Sequence, residues 1–232
     1  KEKLSQERFE KLDKIKGWYW DSKSKSKPSA KSVNIKPKAE KEGGATKTSG
    51  KEQTKKEWQK IGKKMSMQTS KNTNKMFKES PELWEQYHAN RDESFKEYTE
   101  QDEIPVNKII TYLGKKTKHR LKILDLGCGR NLIKEHFKDN KKFNVKGYDY
   151  VSYNGSIACD ISEIPEEEDS IDMCIYSQSL MGSNWKDYLR EGKRVLRYHG
   201  EMIISESVNR YEKVKEYVEE LGLHIKIDEY NE

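Results

Sequence analysis

Residues 121–129 read Leu-Lys-Ile-Leu-Asp-Leu-Gly-Cys-Gly. Four apolar positions within six residues, closed by a Gly-x-Gly, predict a buried strand over 121–126 that runs into a tight turn. Glycines at 127 and 129 let the backbone turn sharply and approach a ligand closely. A helix is expected near 130–140. A strand, a glycine turn and a helix in that order put the turn at the carboxyl edge of an open α/β sheet, where ligands bind. The dinucleotide fingerprint G-x-G-x-x-G is excluded, because Leu132 stands where its third glycine belongs. No G-K-[ST] follows to cradle nucleotide phosphates.

Downstream, short strands and helices alternate. Strands are expected at 143–148, with Asp149 just beyond, at 156–159 before Asp160, and at 171–176, 200–205 and 223–228. Helices are expected at about 184–196, with Trp185, Tyr188, Leu189 and Val195 inward, and at 210–221, with Val214, Tyr217, Val218 and Leu221 on one stripe. Short, mostly apolar strands suit a parallel sheet covered on both faces. Right-handed crossovers then give a doubly wound α/β domain over 119–232. Upstream, residues 81–98 and 104–113 read as two helices, the first entered through Pro81 after Ser80 or Asn74. They form the core of an expected lid over 65–118.

The first third of the chain has a different composition. Of 232 residues overall, 32% are hydrophobic and 37% charged, and the mean hydropathy is −1.13. Such polarity predicts that part of the chain is not buried. Residues 22–64 hold fourteen lysines against four glutamates and read as a basic disordered linker. Lysines of that kind bind phosphates by charge and counterion release, or they serve only as a solubilising linker. Residues 4–20 form a short amphipathic piece, with Leu4, Phe9, Leu12 and Ile15 at helical spacing, inside an N-terminal segment 1–21. They resemble the end of the helicase-associated repeats found beside some viral and bacterial helicases. The net charge of +6 divides into +13 over residues 1–80 and −7 over 81–232. No stretch approaches the eighteen apolar residues of a membrane span, and no signal segment is expected. Three scattered cysteines, Cys128, Cys159 and Cys174, predict neither a disulfide framework nor a zinc site. A reducing compartment is expected.

The pattern hydrophobic–Asp–hydrophobic–Gly–x–Gly at 124–129 resembles motif I of the class I S-adenosylmethionine-dependent methyltransferases, which implies a Rossmann-like sheet. Asp149, about twenty residues beyond the glycines, is then placed to accept both ribose hydroxyls of a nucleoside. Asp160 can accept an adenine amino group or, alternatively, cap a turn. Ile161 can pack on the ring, and Ser177 lies at the expected pocket floor. A closer resemblance rests on MFKESPELWEQYHANRDESFK at 76–96, ILDLGCG, YDY, CDISEIPEEEDSIDM and SQSLMGSNWKDYLREGKRVL. These segments resemble the ribosomal RNA-processing protein 8, or nucleomethylin, family over roughly 62–228. The resemblance implies N1-methylation of an adenine in large-subunit ribosomal RNA. It also implies a nuclear or nucleolar place if the source is eukaryotic, and leaves open chromatin or histone-tail binding. No membrane or metal partner is expected.

Residue by residue, the resemblance assigns cofactor contacts to His88, Gly127, Asp149, Asp160, Ile161 and Ser177, and makes His88 a lid residue closing over the cofactor. Cys128 is implied to pack beside it. Direct methyl transfer needs alignment and shielding, and the cationic product calls for a nearby carboxylate. Glu206 is one candidate; Asp160 is less favoured, because it is expected to be engaged already. Asn184 either caps the helix after it or touches the acceptor base. The chain lacks the [DN]-P-P-[YFW] motif of enzymes that methylate exocyclic amines. Trp18, Trp20, Trp84 and Trp185 are possible stacking surfaces for bases, though three of the four are expected to pack on protein. Departures from the family are Arg130 in a usually acidic position, the turn Arg197-Tyr198-His199-Gly200 before strand five, and the family's final strand beyond strand six, whose counterpart is not expected within this sequence: either strand six is an edge or the sequence is truncated. Competing readings are a methyltransferase acting on DNA or protein, and a non-catalytic cofactor-binding RNA or chromatin module.

Overall fold

The structure, a computed structural model, describes residues 59–117 and 120–228. The expected amphipathic piece at 4–20, its two tryptophans and most of the lysine linker lie outside the described residues. The described chain opens with helix α1 (59–67), which begins inside the stretch expected as linker. Helices α2 (Ser70–Glu79), α3 (Pro81–Phe95) and α4 (Pro105–Gly114) follow. Pro81 and Pro105 occupy first-turn positions, where a missing N–H costs nothing. Helix α2 was not foreseen as a separate element. Its buried positions, Ser70, Thr73 and Phe77, include two small polar residues that hide the helical period.

The sheet contains β1 (Leu121–Leu126), β2 (Phe143–Asp149), β3 (Ile157–Ala158), β4 (Ile171–Ser177) and β5 (Leu196–Ser205). All pairings are parallel, in the order β3-β2-β1-β4-β5. Helix α5 (Leu132–His136) follows β1, α6 (Trp185–Val195) joins β4 to β5, and α7 (Tyr211–Glu220) follows β5. Alternation along the strands divides the core. Ile123, Val145, Met173 and Ile175 pack under α4 and α5 with Ile109, Leu113, Ile133 and Phe137. Leu124, Leu126, Tyr148, Cys174 and Tyr176 pack on the other face, under α6 and α7 with Tyr188, Leu189, Val214 and Tyr217. This is the doubly wound α/β arrangement the sequence predicts, with helices added at its N-terminus.

Three boundaries differ. The helix expected near 130–140 is only five residues long. Asn131, buried and in a left-handed conformation (φ 57°), starts it, and its side chain donates to the Asn154 carbonyl. The Arg197–Gly200 segment is not a turn before strand five but a bulge inside β5. The pairing with β4 jumps from Leu196↔Ile171 to Glu201↔Met173, with His199 at φ 59°. Strand six does not form. Residues 223–228 run alongside with no ladder, held by Lys226 to Glu201 and by Lys215 and Tyr211 to Asp228. Ile227 is 60% exposed, so the alternating pattern there has no apolar surface to cover. Among the described residues the sheet ends at β5.

Candidate functional site

The strand order reverses between β1 and β4, and the loops leaving their carboxyl ends part there, which is where an open parallel sheet holds ligands. Two adjoining clefts of about 480 and 420 Å³ open at this point and share His88, Arg91 and Gly127 in their walls. Gly127 (φ 76°) and Gly129 (φ 52°) are both left-handed. A Cβ on Gly127 would strike Ser179, and one on Gly129 would lie 2.7 Å from His88 Cε1. The turn therefore needs glycine for conformation and for space.

Asp149 ends β2 and is buried, 6% exposed. Its Oδ2 accepts the Gly129 amide at 2.8 Å. Its Oδ1 accepts the Tyr150 amide at 2.8 Å and the Trp84 indole Nε1 at 2.7 Å. Burial pushes this carboxyl up, and the three donors oppose the shift. A carboxylate has about four acceptor positions, so one remains. The first cleft continues from Asp149 past Tyr150, Cys159 and Ile161 to Met65, Phe77 and Met181. It is a largely apolar slot with a carboxylate at one end.

The second cleft carries more charged groups, set beside Phe95, Val106 and Leu132. Asp125, Ser177, Arg91, Asp92 and His88 line it. Asp125 Oδ1, Ser177 Oγ and Ser179 Oγ are buried without a hydrogen-bond partner, which is costly unless a ligand supplies one. Burial and the neighbouring Asp149 charge push Asp125 up to about 7, with Arg91 opposing. Arg91 donates to Gln178 Oε1 at 2.9 Å and to the Ser177 carbonyl at 3.4 Å. His88 packs against Trp84, with ring centres 4.2 Å apart and the planes tilted by 48°. Burial, then the positive charges of Arg91 and Arg130, hold its imidazole well below the usual histidine range. It is neutral near pH 7.

His88, Gly127, Asp149, Ile161 and Ser177 thus meet at the two clefts. Asp160 sits between the lining residues Cys159 and Ile161, with its Oδ1 accepting the amide and hydroxyl of Ser162 in a tight turn. Burial raises the Cys128 thiol well above its usual range, which fits a packing residue. Asn184 lies apart: its Oδ1 accepts the Ser70 amide, and its Nδ2 reaches Ser70 Oγ and Asp187. It fastens α2 to the start of α6. Glu206 is also outside the walls, accepting from the Ser207 amide and pairing with Arg210 at 3.0 Å. Trp84 and Trp185 pack on protein, Trp185 against Tyr217 at 5.5 Å.

Arg130 explains its own departure from the family pattern. Its guanidinium bridges to Glu85 at 2.6 and 2.7 Å and to Asp92 at 3.0 Å, both on α3, and lies 4.7 Å from the centre of the Tyr153 ring. It clasps the lid helix to the sheet. The sequence reading missed Asp125 and Arg91 as site residues and took Trp84 only as a possible stacking surface for bases. A charge in the middle of the apolar strand LKILDL was the available signal for Asp125. Nothing in the helical pattern of 81–95 marked Arg91, or tied Trp84 to Asp149. Among the described residues, no group of His, Cys, Asp and Glu can hold a metal ion, and no helix is long and apolar enough to cross a membrane.

The Schizosaccharomyces pombe protein named 25S rRNA (adenine(645)-N(1))-methyltransferase is 34% identical over 145 residues, 59% of this chain and 44% of its own. The ribosomal RNA-processing protein 8 of Dictyostelium discoideum is 35% identical, covering 70% of this chain and 42% of its own. The Arabidopsis thaliana protein of that name is 37% identical, covering 59% and 45%. The chain therefore spans less than half the length of these curated relatives. A solved methyltransferase from Archaeoglobus fulgidus is 18% identical with a TM-score of 0.46, covering 59% of this chain and 74% of its own. A family described as hypothetical methyltransferase matches residues 48–231, and the chain belongs to it.

Proposed function

We propose that this chain is the cofactor-binding and catalytic part of an S-adenosylmethionine-dependent RNA methyltransferase acting on N1 of an adenine in large-subunit ribosomal RNA. The observation that carries the cofactor is the pair of linked clefts: Asp149 beside an apolar slot, and the partnerless Asp125 Oδ1 beside Arg91. The residues present fit the group. Asp149 suits a ribose diol, and Ile161 with Cys159 and Tyr150 suits a flat ring. Asp125 and Arg91 suit the ammonium and carboxylate of an amino-acid end. The acceptor is inferred from the relatives' names and from the lysine-rich approach to the lid. On this reading the protein works where ribosomal RNA is made.

When bound, the cofactor supplies a methyl group already activated on a sulfonium. The protein's share is alignment and exclusion of water. Neutral His88 and the ring of Trp84 close the cleft without placing a positive charge beside a cationic sulfur. Adenine N1 offers a lone pair and has no proton to lose, so no general base is needed at that step. The acceptor base must leave its stack to arrive there. Gln178 and Ser179, on the wall after β4, are the polar groups on its approach. Gln178 is held left-handed at φ 55°, a strain of the kind kept at functional sites. Glu206 lies outside the walls of both clefts and is paired with Arg210 at 3.0 Å, so no proton step is assigned to it.

Calorimetric titration with S-adenosylmethionine tests the site. The unaltered chain should bind one molecule. Asp149→Ala and Gly127→Arg should each weaken binding at least about 100-fold, the cost of a charged hydrogen-bonding group or of filling the turn. Unchanged affinity in both variants would remove the cofactor from this site.

A further inference from the structure

The lid has two faces of opposite character. Inward, Met65 of α1 and Phe77 of α2 form part of the apolar wall of the first cleft. Outward, the same helices present lysine. Lys60, Lys63 and Lys64 lie on the exposed side of α1, and Lys71, Lys75 and Lys78 on that of α2. The spacing 71, 75, 78 is one helical stripe, opposite buried Ser70, Thr73 and Phe77. Among the described residues only Lys75 of these six is in an ion pair, a solvent-exposed one with Glu79 at 3.7 Å. Residues 81–232 carry a net charge of −7, so these helices form a positive border on an acidic body.

This border is rigidly tied to the mouth of the site. The loop after β4, from Met181 to Asn184, is joined to it three ways. Ser183 donates to the Gln68 carbonyl at 3.0 Å, Asn184 bonds Ser70, and Met181 packs in the apolar cluster of Met65 and Phe77. A strand held by the lysines therefore has a fixed position relative to the opening where a base must enter.

We infer that the outer faces of α1 and α2 are a phosphate-binding rail for single-stranded RNA next to the acceptor nucleotide. This rests on the proposed function and names where that substrate is held. Lysines read phosphate by charge and not by sequence, which suits positioning, while the pocket selects the base. A single strand is favoured over a duplex because the acceptor must already be unstacked. The rail needs no basic core: the net charge of residues 81–232 is negative, and long-range attraction of the strand then falls to the lysine border.

The test uses the full chain and a fluorescent single-stranded oligoribonucleotide, with anisotropy measured across a potassium chloride series. The triple variants K71Q/K75Q/K78Q and K60Q/K63Q/K64Q should each flatten the slope of log affinity against log salt by up to about 2, at about 0.7 per lost phosphate contact. The KM for RNA should rise, with cofactor affinity by calorimetry unchanged. The matching Lys→Arg triples should keep the wild-type slope. The control K138Q/K141Q/K142Q, at the opposite end of the strands, should leave it unchanged. Slopes equal to wild type in both test triples, or an equal change in the control, would overturn the rail. A greater loss on duplex DNA than on RNA would overturn its assignment to RNA. A slope change without any methyl transfer to RNA would keep the rail and remove the proposed reaction instead.

Discussion

Trp84 on the lid helix and Asp149 at the end of β2 are joined by a buried 2.7 Å hydrogen bond from the indole Nε1 to the carboxylate Oδ1. Two backbone amides, of Gly129 and Tyr150, take further positions on the same carboxylate. Those amides are fixed by the fold, but the indole rides on a helix. A ribose diol needs two acceptor positions where one is left, so the indole is the donor that yields. Trp84→Phe should therefore tighten S-adenosylmethionine binding by about two- to tenfold, one net hydrogen bond. It should also lower the stability of the cofactor-free protein by about 1 kcal/mol. Calorimetry and denaturant melts read both. A weaker cofactor would show that the indole stays on Asp149 in the bound state.

Asp125 should make stability and binding depend on pH in opposite directions. Its carboxyl is pushed up to about 7, chiefly by burial and then by Asp149, against Arg91. An unfolded aspartate titrates near 3.9, so between about pH 4 and 7 the folded chain holds more protons. The group's contribution is fully present below pH 4 and is lost as pH rises through 7, at up to about 1.4 kcal/mol per unit. The binding of an ammonium group needs the ionised form, so cofactor affinity should rise from pH 6 to 8. Asp125→Asn should flatten both profiles, weaken the cofactor and stabilise the free protein above pH 7. Parallel melts and titrations at pH 6, 7 and 8 check this.

His88 should stay neutral. It is buried, with Arg91 and Arg130 nearby. Its imidazole proton and carbon resonances should not move between pH 7.5 and pH 6, while an exposed histidine would titrate in that range around 6.5. A His88 transition in that interval would contradict the neutral lid.

Arg130 clasps Glu85 and Asp92 beside the second cleft. The Arg130→Glu variant puts three carboxylates together at that point. Hydrogen exchange along α3 should speed up at least about tenfold, a local loss near 1.4 kcal/mol, while protection in β1 and β4 is retained. Equal protection of α3 in both proteins would show that the clasp does not hold the lid.

The doubly wound sheet was legible because its strands are apolar and its first turn carries two left-handed glycines. Asp149 and Ile161 were legible as well, since each follows a strand end where the ligand edge must lie. Three elements were hidden for physical reasons. Helix α2 buries Ser70 and Thr73, so it lacks an apolar period. Residues 223–228 alternate like a strand, but Ile225 and Ile227 remain exposed, and alternation does not say whether a partner surface exists. The bulge at 197–200 is written only as polar residues before a glycine, which also describes a turn. At the site, Trp84 and Arg91 could not be assigned from spacing, because their roles depend on a helix packing across the sheet from which it is separated in sequence. Asn184 shows the same limit: its position at the start of α6 was evident, and its attachment to Ser70 was not.

The most direct measurement is nucleoside mass spectrometry of large-subunit ribosomal RNA after incubation with the full chain and methyl-labelled S-adenosylmethionine. The account predicts label in 1-methyladenosine with the unaltered chain and none with Asp149→Ala. Label in another nucleoside, in DNA or in protein, or no label from a chain that demonstrably binds the cofactor, would contradict it.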